Sequence, residues 1–163
     1  MRSFHTGLRC LSLLCAVAAL LALSASCSRE KKAPHELLLS LLDEEKTIPA
    51  GRIYLRTAEE SSRAYLSDAL LAQAFGNGAL PPAVDGIVDA ACYFSYAHPY
   101  ELDVFLCTSA ASAQAVAKMC LRRLDVLKNY RTYEGLDADT VAAYLNNATV
   151  TVRGKYVIFR VAE

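Results

Sequence analysis

The chain has 163 residues with 17 basic and 17 acidic side chains, and 54% of it is hydrophobic. Balanced charge argues against nucleic acid, which demands a clustered basic surface. The length allows one ordinary domain around a single core.

Met1–Ser26 has the three parts of an export signal. Arg2 and Arg9 give a positive start, Cys10–Leu23 is apolar apart from Ser12, and Ser24, Ala25 and Ser26 are small. Cys27 follows directly. The run LALSASC resembles the processing site of bacterial lipoproteins, in which that thiol takes a diacylglycerol and becomes the mature N-terminus. The expected organisation is therefore a signal peptide over 1–26, a lipidated Cys27 with a short basic tether over 27–33, and a single domain over 34–163. Two acyl chains suffice for stable anchoring, so the implied partner is membrane lipid, at the outer face of the cell membrane. Ser24 departs from the lipoprotein pattern, which has an aliphatic residue there. The same small-x-small run suits an ordinary secretory peptidase, so secretion is the alternative. An uncleaved span is disfavoured, because spanning needs about twenty apolar residues, and because Arg29, Lys31 and Lys32 blur the charge asymmetry that orients a span.

Pro34–Glu45 reads as a short amphipathic helix with its proline at the first turn. Pro49 and Gly51 break it, and Arg52–Arg56 alternates like a short strand. Ser67 caps a second helix that runs to Phe75 and stops at Gly76. Gly76–Gly86 is rich in turn residues. Ile87–Tyr96 is β-branched and aromatic, Ala97–Tyr100 is a tight connection, and Glu101–Cys107 runs back antiparallel.

The longest element is a helix over Cys107–Tyr130. Ala113, Val116, Ala117, Cys120, Leu124 and Leu127 recur at steps of three and four and share one face. Lys118, Arg122, Asp125 and Asn129 occupy the back. Ser109 or Ser112 caps its start. A short helix within Leu136–Asn147, capped by Asp137 or Asp139, leads to a closing hairpin. A turn at Arg153-Gly154 is expected to pair Val150 with Val157. The predicted fold is a two-layer α+β sandwich: an antiparallel sheet in ββαββ order, the long helix on one face, and the short N-terminal helices at an edge.

The segments YLSDALL (Tyr65–Leu71), GNG…PP (Gly76–Pro82), HPYELDVFLC (His98–Cys107), KMCLRRLD (Lys118–Asp125) and TVRGKYVIFRV resemble uncharacterised clostridial (Firmicutes) lipoproteins that carry a domain of unknown function. That resemblance implies an envelope location and a lipid anchor. It implies no catalytic residues.

No catalytic, metal-binding or cofactor motif stands out. Cys92, Cys107 and Cys120 are odd in number and lack a CxxC pair, which favours buried thiols over a disulfide or metal site. His98, with Glu101 and Asp103 nearby, has the composition of a general base, yet no nucleophile motif accompanies it. GNG lacks the length and the preceding strand of a phosphate loop. Arg122, Arg123, Lys128 and Arg131 form a basic tract, with Arg122 spaced to pair with Asp125. The residues left as a candidate binding surface are Tyr96, His98, Tyr100, Arg122 and Arg123. They point to an extracytoplasmic, membrane-anchored, non-enzymatic binding or accessory module, with an envelope protein or glycan as partner. A structural protein of envelope or spore-coat assembly is the alternative, and an enzyme with an unrecognised site a third reading.

Overall fold

The computed structural model describes residues 32–129, 133 and 135–163. The predicted leader, Cys27, and the tether up to Lys31 lie outside the described residues, as does Tyr130 at the predicted end of the long helix.

Helix α1 spans Pro34–Leu42, strand β1 Gly51–Leu55 and helix α2 Asp68–Phe75. A 3-10 turn at Pro82–Gly86 leads into β2, Ile87–Ser95, and β3, Glu101–Cys107. Helix α3 spans Ala110–Asn129 and α4 Ala138–Asn146. Strands β4, Thr149–Arg153, and β5, Tyr156–Val161, close the chain. All neighbouring strands are antiparallel, in the order β1-β2-β3-β5-β4. The protein is a mixed α+β fold with a long helix on an antiparallel sheet.

Alternation along the strands assigns the two faces. Arg123 of α3 pairs with Glu101, so Glu101, Asp103, Phe105 and Cys107 look toward α3. Register carries Cys92 and Phe94 of β2 and Val157 and Phe159 of β5 to the same side. Phe75 at the end of α2 packs edge-on against Phe105 with ring centroids 5.7 Å apart. Leu102 and Val104 point the opposite way, beside Tyr93, where α1 packs on β2 and β3 and buries Leu38 completely. Both N-terminal helices were expected at an edge. Helix α2 covers the β1–β2 side of the α3 layer, whereas α1 lies over the central strands and adds a layer on the far face. The reason is visible in β3, which is buried at every position except Leu106. A strand apolar on both faces requires cover on both.

The six residues of the expected apolar stripe on α3 are all buried, and Met119 joins them. The helix begins at Ala110 rather than Cys107. Cys107 still belongs to β3, its N–H bonded to the carbonyl of Lys155. Ser109 is the cap, its Oγ accepting from the N–H of Ser112 at 3.0 Å. Helix α1 stops at Leu42, before the Asp43–Glu45 run, where negative charge opposes the dipole of a helix C-terminus. Glu45 instead accepts two hydrogen bonds from Arg160, at 2.7 and 3.0 Å. Asp137, not Asp139, caps α4 by accepting from the Thr140 N–H.

The closing hairpin turns on Gly154-Lys155, one residue later than expected, and Val150 faces Phe159 instead of Val157. Gly154 has φ +63°, the left-handed conformation that the first central position of such a turn demands. A turn at Arg153-Gly154 would force a side-chain-bearing arginine into it. The slide is even, so every side chain keeps its predicted face.

Candidate functional site

The β2–β3 hairpin organises the main surface cleft. Its loop is tied down from three sides. The Ser95 N–H donates to the Tyr100 carbonyl and the Tyr96 N–H to the Ala50 carbonyl. The Ser95 hydroxyl donates to the Ala50 carbonyl at 3.2 Å and accepts from the His98 N–H at 3.2 Å. Anchored this way, Tyr96 projects into solvent with 66% of its surface exposed. Tyr100 turns inward, 2% exposed, stacked edge-on against Tyr93 and Tyr144.

Beside that loop lies a cavity of about 410 Å³ lined by Tyr96, His98, Tyr100, Glu101, Arg123 and Leu127, among others. A second cavity of about 480 Å³ adjoins it, running between α2 and α3 and sharing Tyr96 and Arg123 as a common wall. Both fall in the roughly 300–1,000 Å³ range of small-ligand sites.

The floor of the first cavity is an ion pair. Arg123 Nε and Nη2 donate to Glu101 Oε2 at 3.0 and 2.9 Å. Burial by itself would make the guanidinium easier to deprotonate, but the Glu101 carboxylate outweighs it and holds the proton more tightly than usual. Such a two-pronged pair fixes both planar groups. Nη1 of Arg123 has no partner among the described residues.

Below the pair, Asp103 is wholly buried, and neither of its oxygens has a well-formed hydrogen bond. Its polar neighbours are Glu101, two residues along the same face, and Cys92, opposite in register. Burial, reinforced by the negative charge of Glu101, pushes the Asp103 carboxyl well above the ordinary carboxylate range. The shift favours its protonated form, the form in which an unpaired buried carboxyl avoids the cost of its charge. Burial also raises Cys92 and Cys120, with Asp103 adding to both, and raises Cys107. All three cysteines are free thiols.

Of the five candidate surface residues, Tyr96, His98, Tyr100 and Arg123 meet around the first cavity. Arg122 does not; it is exposed and borders a separate depression with Leu80, Pro81 and Val126. Nor does it form an ion pair with Asp125 among the described residues. The buried partner of Arg123 went unforeseen. Glu101 and Asp103 interrupt an apolar strand, and Arg123 falls beside Cys120 and Leu124 at the margin of the apolar stripe. A charge interrupting each apolar pattern was the available signal. His98 Nδ1 and the Tyr100 hydroxyl are both buried and lack partners among the described residues, the hydroxyl lying toward Glu45, Arg160 and Tyr144.

Among the described residues, no group of His, Cys, Asp or Glu is arranged to hold a metal ion, and no helix is long and apolar enough to cross a membrane. Comparisons with protein-family models, with curated proteins and with solved structures each returned no match.

Proposed function

We propose that the protein is a lipid-anchored, extracytoplasmic binding module without a catalytic role, and that its ligand seats in the cleft at the β2–β3 hairpin. The observation that carries this reading is the convergence of Tyr96, His98, Tyr100 and Arg123 on one cavity. A concave site with apolar walls and a few fixed polar groups is the usual form of a small-ligand site. The export signal, Cys27 and the resemblance to clostridial lipoproteins support a position at the outer face of the membrane.

The chemistry around the cleft supports binding over catalysis. Glu101 is committed to Arg123, and Asp103 is sealed below it. A thiol must ionise to act as a nucleophile, and burial opposes that at Cys92, Cys107 and Cys120. One feature favours assembly as a second reading: Leu80, Leu121 and Val126 stay 40–50% exposed along the outer side of α3 and the neighbouring loop, a partial apolar strip of the kind that partners cover.

The test is to purify the full chain and its Tyr96→Ala variant from detergent-solubilised membranes and to analyse what each retains. A small molecule held by the wild type and lost from the variant supports the binding reading. A stoichiometric protein partner retained by both transfers the function to assembly.

A further inference from the structure

We infer that the ligand of this cleft is an uncharged oligosaccharide, with consecutive sugar rings seated on either side of Tyr96; this rests on the reading of the cleft as a binding site. Three observations carry it. The first is charge. Arg123 is the cationic wall of both cavities, and Glu101 neutralises it through three contacts of 3.3 Å or less. Among the described residues that line the two cavities, an anionic ligand would find no unpaired positive charge, and a cationic one would have to displace Arg123 from Glu101. Displacing either partner would leave a buried charge uncompensated, which is strongly unfavourable. The ligand that fits is polar and neutral.

The second is the kind of polarity on offer. Arg123 keeps part of its guanidinium exposed, while the buried Glu101 carboxylate holds that group in a fixed orientation. His98, which also lines the cavity, has a buried Nδ1 whose hydrogen-bonding capacity no described residue uses. An N–H donor and an unused imidazole nitrogen in one lining suit hydroxyls, each of which gives one hydrogen bond and takes others.

The third is Tyr96. An aromatic ring left 66% exposed on a loop held by four hydrogen bonds is a rigid platform. Its π face is electron-rich, and it meets the C–H face of a pyranose, which is weakly positive and apolar, while the hydroxyl rim is left for Arg123. Tyr96 walls both cavities, so one ring can occupy each, and the site reads a chain rather than a single sugar.

The experiment is calorimetric titration of the full chain in detergent with neutral β-linked tetrasaccharides, with and without N-acetyl groups, and with inorganic phosphate and polyglutamate as anionic probes. Saturable binding of a tetrasaccharide is expected, weakened roughly tenfold by Tyr96→Ala, as loss of one stacking contact implies. Tyr96→Phe keeps the ring and should bind like the wild type, and Arg122→Ala, in the separate depression, should leave binding unchanged. Tyr96 is exposed, so thermal melts of both Tyr96 variants should match the wild type. The inference is overturned if no tetrasaccharide binds, if Tyr96→Ala binds as well as wild type, or if either anion binds instead. Hydrogen exchange separates the two levels of the claim. Protection of residues 94–101 by a membrane extract, without tetrasaccharide binding, removes the sugar and keeps the site; protection by neither removes both.

Discussion

Asp103→Asn should make the protein more stable at neutral pH, by an amount that grows as pH rises. Asp103 is inaccessible to solvent and its carboxyl is held protonated, first by burial and then by the charge of Glu101. In the unfolded chain the same carboxyl ionises near pH 4. Above that pH the folded state binds one proton more than the unfolded state. Stability contributed by this residue is therefore fully present below about pH 4 and declines by about 1.4 kcal/mol per pH unit, until the folded carboxyl itself titrates. Asparagine has the same shape, carries no proton to lose, and can donate to Glu101. Between pH 5 and pH 7 the variant's advantage over the wild type should widen, with a slope of at most about 1.4 kcal/mol per pH unit. The other groups facing Asp103 do not produce that slope. Cys92 and Cys120 are raised from an already alkaline range, and Arg123 is held in its charged form by Glu101. Urea denaturation of both proteins at pH 5, 6 and 7 measures the difference directly. A difference independent of pH, or a variant that loses ground as pH rises, would mean that Asp103 is ionised in the fold and that the account of this core is wrong.

Leu124→Ala removes a side chain only 9% exposed beneath α3 and should cost about 2–3 kcal/mol; Leu121→Ala, 50% exposed on the same helix, should stay within ~0.5 kcal/mol, and equal losses would place the stripe wrongly. Gly154→Ala tests the closing turn. No atom lies within 4 Å of the added carbon, so the expected loss of about 1–2 kcal/mol comes from the positive φ alone, and an unchanged midpoint would refute that turn geometry. Cys27→Ala should move the protein from the membrane fraction to the medium or leave it unprocessed, and identical soluble fractionation of both forms would remove the anchor.

The elements themselves were legible because each had a local cause. Ser67 before an apolar run, Gly76 after it, and Asp137 before Val141 mark helix ends through backbone groups that need partners, and the caps form as read. The stripe on α3 was legible because 3.6-residue periodicity has one physical meaning. The position of α1 was not. Its sequence shows one apolar face but not which surface that face meets, and only β3, with Leu102 and Val104 alternating with Asp103 and Phe105, hinted that both sides of the sheet needed cover. The hairpin register was missed by two residues for a related reason. Arg153-Gly154 and Gly154-Lys155 both contain the glycine, and the choice depends on which central position takes positive φ.

The site was half legible, and the division follows from what each residue depends on. Tyr96, His98 and Tyr100 come from one short loop, so neighbours in sequence are neighbours in space. Arg123 joined them from a helix, and its contribution was set by Glu101, 22 residues away. A solvated helix back is the ordinary expectation for a pair of arginines, and Arg122 follows it. Arg123 differs because its long side chain reaches from the edge of the apolar stripe onto the sheet, where the buried Glu101 carboxylate would otherwise be stranded. The two residues make each other tolerable, and neither pattern alone predicts it. The same logic explains Asp103. With Arg123 committed to Glu101, no other cation among the described residues pairs with a second carboxylate on that face, and burial favours its protonated form. The pairing of Arg123 and the upward shift of Asp103 thus share one cause in Glu101, and a substitution at Glu101 should disturb both together.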